Sequence, residues 1–273
     1  GSGLSILSDE SSLKKFVTVE FNDCEFVSNR AQGNQNSGGA LHFTSHHEQL
    51  TYDSLTFTSC LFSDNEAGGD SGSLHLYPFN CLSLTVTECE FTSNKAKGDN
   101  GAVFISPTNC LEVKVFQCIF VLNEAHKNVG ALFVSCLCRT LIIDFCSFVN
   151  NSATQTGRRT DTLYVSAFSE THIERCNFSK AVMMDENCGC QLSLDNCIST
   201  SQEFFIVSDC LFSSINPSNP QVIITSQFSE SNTTIYNSSF THFYVTTVTS
   251  SKSLHQLAQS NPSSPFYHVM TDS

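Results

Sequence analysis

The chain has 273 residues, 13 Lys+Arg against 26 Asp+Glu, and a formal net charge of -13. That balance excludes a grip on nucleic acid or on anionic lipid, both of which need clustered cations. No apolar run reaches the roughly 18 residues of a membrane-spanning helix, and 23 Phe, 14 Cys and no Trp mark a β-rich chain rather than an ordinary enzyme.

In chain order, Gly1-Ser2-Gly3 reads as a cloning scar, and residues 1–15 are expected to be a tag remnant and an N-terminal cap. From residue 16 one unit recurs: Cys-x-Phe-x-x-Asn-x-Ala, a short polar stretch, then Gly, a small residue and an aliphatic. Its copies are Cys24/Phe26/Asn29/Ala31, Cys60/Phe62/Asn65/Ala67, Cys89/Phe91/Asn94/Ala96, Cys118/Phe120/Asn123/Ala125 and Cys146/Phe148/Asn151/Ala153. Degenerate copies follow at Cys176/Phe178, Cys210/Phe212 and Ser238/Phe240. Successive anchors lie 36, 29, 29, 28, 30, 34 and 28 residues apart, a period that excludes a layered domain and predicts a solenoid.

Within each unit, aliphatic and aromatic residues alternate with polar ones before the Cys (Leu55 and Phe57, Leu84 and Val86, Val113 and Val115) and again after the Gly (Leu41 and Phe43, Leu74 and Leu76, Val103 and Ile105). Period two is the signature of strands. Cys and Phe sit on a third short strand. The prediction is all-β: a single parallel β-helix over 16–245, with three short strands per coil and eight or nine coils. At the usual strand spacing that is a rod on the order of 40 Å long. Gly39, Gly72, Gly101 and Gly130 are expected to turn corners through backbone angles denied to other residues. The Asn column is expected to adopt the left-handed region and to form an amide ladder between coils. Residues 246–273 read as a C-terminal cap and tail, with a short helix over 253–259.

Phe-x-x-Asn paired with Gly-Gly-Ala-aliphatic, complete at Gly38-Gly39-Ala40-Leu41, resembles the repeat of chlamydial polymorphic outer membrane proteins. It is also similar to pectin-lyase-like β-helix repeats in surface proteins of protists, where Cys often precedes the Phe. The resemblance spans residues 16–153 well and 170–245 loosely. It implies a right-handed coil and a surface-displayed or secreted, adhesin-like protein. The expected localisation is therefore extracellular or cell surface, and the expected partner a host or neighbouring-cell protein receptor or a glycan. The chain shows no C-terminal translocator barrel of the membrane-anchored members, so a passenger segment or a separate secreted protein is expected.

Three sets of residues are candidates for chemistry. An outward column of rings, His42, His75, Phe104, Phe133 and Tyr164, with His46 and His47 nearby, is the predicted binding face. Asp144 and Glu174 occupy one column of adjacent coils beside Glu112, Glu170, His172 and Arg175, and would be the acid pair of a polysaccharide lyase or glycoside hydrolase. Chance alignment on a solvated face accounts for them as well, and a non-enzymatic binder is preferred, with a structural spacer as a further alternative. The Cys fall in interior columns: Cys24, Cys60, Cys89, Cys118, Cys146, Cys176 and Cys210 in one, and Cys81, Cys110 and Cys138 in another that also takes Phe16, Tyr52 and Phe168. They read as buried packing residues, with inter-coil disulfides as the alternative. Cys136 with Cys138 and Cys188 with Cys190 are the expected exceptions. No metal and no cofactor is expected.

Overall fold

The computed structural model describes residues 4–7, 16–33, 36–45, 51–154, 160–167, 170–180, 190–196, 204–214, 222–226, 232–236, 238–240, 245–248 and 269–270. Every regular element among them is a strand. The turn that begins at residue 51 shows the plan. Its four sides are Thr51–Thr58, Leu61–Ser63, Glu66–Ala67 and Leu74–Tyr77. The next turn repeats them in parallel register, Leu55 against Leu84, Phe57 against Val86 and Phe62 against Phe91. Stacked sides make four parallel sheets of eight, eight, five and ten strands, called here the first, second, third and fourth sides.

This is a parallel β-solenoid, with two corrections to the expected geometry. The regular turn has four strands rather than three, and it runs for about four turns rather than eight or nine. Both differences come from the third side. Its strands are two residues long, as in Lys95–Ala96 and Glu124–Ala125, too short to leave an alternating pattern in the sequence. Among the described residues its last strand is Ser152–Ala153, which carries the last full copy of the Asn-x-Ala half of the repeat. Beyond it the other three sides continue, and the fourth side slips register between Thr160 and Leu163. Strands also reach into both expected caps. Leu4–Leu7 pairs parallel to Leu41–Thr44, and Val269–Met270 pairs with Val245–Val248. The helix expected over 253–259 lies outside the described residues.

Single left-handed residues make the corners. They include Asp23, Ser59, Glu88, Gln117, Phe145, Arg175 and Asp209 after the first side, Ser28, Asp64, Ser93, Leu122 and Asn150 after the second, Ser71, Asn100 and Val129 before the fourth, and Asn80 and Asn109 between the fourth side and the first, all at φ near 50–65°. The Asn column itself does not take this conformation; the residue before it does. Nor do Gly39, Gly72 and Gly101 turn through positive φ. Glycine is needed there because turns approach closely: a Cβ on Gly72 would meet the Gly101 carbonyl oxygen, and one on Gly101 would meet that of Gly130.

The ladder of amides is present. Asn94 Oδ1 accepts from the Asn65 backbone N–H at 3.1 Å and from Asn65 Nδ2 at 2.9 Å, while Asn94 Nδ2 donates to Asn123 Oδ1 at 3.0 Å and to the Phe62 carbonyl at 2.9 Å. Asn65, Asn94, Asn123 and Asn151 are fully enclosed, so every one of these bonds replaces hydration lost on folding.

Inside, residues of one column touch along the axis. Phe26, Phe62, Phe91, Phe120, Phe148, Phe178 and Phe212 stack face to face with centroids 4.6–4.9 Å apart. Each such pair adds about 1 kcal/mol to the burial of its rings. The Cys columns line the same interior. Eight of the nine free thiols among the described residues are buried; Cys24 is half-buried. Their S–H groups donate to backbone carbonyls, Cys118 to Phe116 and Val86 at 3.4 Å. Interior packing is the fate of most, and Cys136–Cys138 is joined as a disulfide. The column of Cys81 and Cys110 continues through Tyr52, which a bulge places opposite Val17 rather than Phe16.

Candidate functional site

The fourth side presents its outer face as a row of rings. Inward Leu41, Leu74, Val103, Leu132 and Leu163 anchor each strand; the next residue, pointing the other way, is His42, His75, Phe104, Phe133 or Tyr164. Register puts these five directly above one another. Centroid separations run 4.8, 4.5, 5.2 and 4.9 Å, with the planes within 29° of parallel. All five predicted binding residues are thus brought into one continuous, half-buried stack. It ends where the column changes to Ser5 on one side and Ser193 on the other. His46 and His47 lie outside the described residues.

Two hydrogen bonds tie the histidines to the neighbouring corner. His42 Nδ1 donates to the Ser37 carbonyl at 3.2 Å, and His75 Nδ1 lies 3.1 Å from Ser71 Oγ. Burial, reinforced by His42, pulls the His75 imidazole down to about 3, so that ring is neutral and packs like the Phe104 ring beside it. Stacking has a chemical consequence. Because each ring covers the faces of its neighbours, the stripe offers outward mainly ring edges and leaves ring faces only at its two ends. Sugars bind aromatic residues through the ring face. Edges with in-plane C–H and N–H groups suit carbonyls and side chains of a protein surface better.

The acidic column is a closed ion cluster. Asp144 and Glu174 sit in register on adjacent strands. Asp144 is buried rather than solvated, and Arg175 reaches it with both arms, Nε to Oδ1 at 2.9 Å and Nη2 to Oδ2. Arg175 Nη2 also lies 3.5 Å from Glu174 Oε2, and its guanidinium covers the Phe145 ring at 4.4 Å. His172 is clamped between Glu174 Oε1 at 3.2 Å and Glu170 Oε1 at 3.0 Å. Both oxygens of Asp144 are therefore engaged by one cation, which leaves neither poised for proton transfer. Glu112 is further along the same sheet, opposite Thr140. The role of Phe145 was not legible in the sequence, since it stands at a corner position that holds polar or charged residues, Asp23, Ser59, Glu88, Gln117, Arg175 and Asp209, in the other turns.

Compared with family models, curated proteins and solved structures, the chain finds no match.

Proposed function

We propose that this protein is a non-enzymatic, adhesin-like binding domain, secreted or displayed at the cell surface, that engages a protein receptor through the outer face of the fourth side. The observation that carries the reading is the uninterrupted stack His42–His75–Phe104–Phe133–Tyr164 on an outward sheet face. Aromatic residues are among the commonest anchors of protein interfaces. The edge-on presentation favours a protein over a glycan. Surface display and the right-handed, pectin-lyase-like identity rest on the likeness of the Phe-x-x-Asn and Gly-Gly-Ala-aliphatic repeats to surface proteins. The test is an array of extracellular proteins and glycans, probed with the natural chain and with Phe104→Ser/Phe133→Ser. A selective protein ligand lost at least tenfold by a variant of unchanged circular dichroism is the expected result. No selective ligand at all would leave a spacer, and glycan binding indifferent to the variant would place the site elsewhere.

A further inference from the structure

Four Asn-x-Ser/Thr triplets occur in the chain, headed by Asn150, Asn177, Asn232 and Asn237, the acceptor pattern for transfer of an oligosaccharide to the asparagine amide. The structure sets one of them apart. In Asn177–Lys180 the middle residue of the triplet, Phe178, points inward and is fully enclosed, so Asn177 and Ser179 share the outward face. Asn177 is exposed and Ser179 half-buried. The Asn177 backbone N–H donates to the Cys146 carbonyl at 2.9 Å, while nothing among the described residues bonds its side-chain amide. Asn150 differs. It stands half-buried at a corner with φ 52°, and the middle residue of its triplet, Asn151, is an enclosed rung of the amide ladder. Asn237 lies outside the described residues.

The surroundings of Asn177 give the site a purpose. Along the outward column of the second side it is in register with Leu211 of the next turn and Ser147 of the previous one, and Ser147 is in register with Ile119. Leu211 is 46% exposed and Ile119 44%, and Leu122, at the corner that follows Ile119–Val121, is 53% exposed. Large aliphatics this open in nearby turns make an apolar strip that water wets poorly. Asn177 sits within that strip. A sugar chain on its amide is bulky and solubilising, and Leu211 and Ile119 lie only one and two strand spacings away, about 5 and 10 Å along the axis. The ring stripe is on the fourth side and stays open.

We infer that Asn177 is an N-glycosylation site and that its glycan covers the apolar strip of the second side. The inference rests on the secreted or surface-displayed reading, because the sugar donor, a lipid-pyrophosphate-linked oligosaccharide, is met in a secretory compartment. In the transfer, Asn177 Nδ2 forms a bond to the anomeric carbon of the first sugar. The bond from that carbon to the pyrophosphate oxygen breaks, and the lipid pyrophosphate leaves with the electron pair and takes up the proton that Nδ2 loses. Nothing is oxidised or reduced. Ser179 supplies the hydroxyl that the acceptor pattern requires two residues on. The fold tolerates the product because the outward position leaves the core column of Phe178 undisturbed.

The test is to secrete the full chain from cultured eukaryotic cells, release its N-glycans with an amidase in heavy-oxygen water, and read the peptides by mass. Heavy-oxygen label at position 177 in most molecules is expected, lost in Asn177→Gln and in Ser179→Ala, and kept in Ser179→Thr and in Asn150→Gln. Should Asn177→Gln fail to fold, the two Ser179 variants carry the comparison. An unlabelled position 177 in the secreted chain overturns the inference and leaves the secretion reading standing. Label there, with a bare amide in the chain isolated from its natural source, overturns the inference through the secretion reading on which it rests. Release of the glycan under native conditions should also raise the binding of a hydrophobic-surface dye at least twofold, with a smaller gain in Leu211→Ser. An unchanged dye signal overturns the covering role.

Discussion

At the residue scale, two columns with the same spacing do opposite things. Asn94 is enclosed and makes four bonds along the axis, two as acceptor and two as donor. Its replacement by Ala leaves Asn65 Nδ2, Asn123 Oδ1 and the Phe62 carbonyl short of partners in a dry interior. A loss of about 3 kcal/mol or more is expected in urea unfolding, since each orphaned buried group costs roughly 1–3 kcal/mol, while binding at the distant ring stripe stays unchanged. An unaltered unfolding midpoint would refute the ladder's contribution. The residue just before the column bears the corner instead. There Leu122 holds φ 56° with its side chain half in solvent, where other turns place Ser, Asp or Asn. A left-handed backbone costs a branched L-residue on the order of 1 kcal/mol, which Asn largely avoids. Leu122→Asn should therefore raise the unfolding free energy by about that amount, and a decrease would mean that the leucine packs in a way its exposure does not show.

At the element scale, the fourth-side strands show what stacking does to a titratable group. His75 is neutral in the fold down to about pH 3, whereas the unfolded chain protonates this side chain near the ordinary value of about 6.5. Between those values the unfolded state holds more protons, so this histidine's contribution to stability is complete above about pH 6.5 and is lost as pH falls toward 3. His75→Phe keeps the ring stack and removes the proton. Going from pH 7.5 to 4.5, the natural chain should lose on the order of 1–2 kcal/mol more than the variant, read as the difference between their urea midpoints. Equal losses would show that the imidazole titrates normally and that the stack is open to water. That a row of rings exists is readable from the alternation of each strand. That they lie within van der Waals contact of one another, and so hide their faces, depends on a register set by strands about 29 residues apart in sequence.

At the scale of the whole molecule, the repeat makes the interior a set of one-residue-wide columns, and the thiols test this directly. Cys24 at the open end is half-buried, and the other described free cysteines are buried. Alkylation of the native protein should modify Cys24 first, by mass, with Cys60, Cys89, Cys118, Cys146, Cys176 and Cys210 reacting only when the solenoid unfolds. Uniform reactivity would mean that the turns breathe individually. The thiols' inertness has a second source, because burial in the dry interior disfavours the charged thiolate that would react.

The period, the alternation and the Asn and Cys columns are local patterns, and they determined the class of the fold because identical residues at a constant spacing can be satisfied together only by stacking in parallel. The number of sides per turn, the point at which regular turns end, and the identity of the left-handed residues were decided by tertiary structure. Two-residue strands carry no period, and the corner is placed by where neighbouring turns can approach, as the contacts around Gly72 and Gly101 show. The same holds for the acidic column. Side-chain type and spacing brought Asp144 and Glu174 together, but only the fold showed that Arg175, at the corner just after Glu174, reaches across to engage both oxygens of Asp144, a choice set by burial and reach rather than by any spacing in the chain.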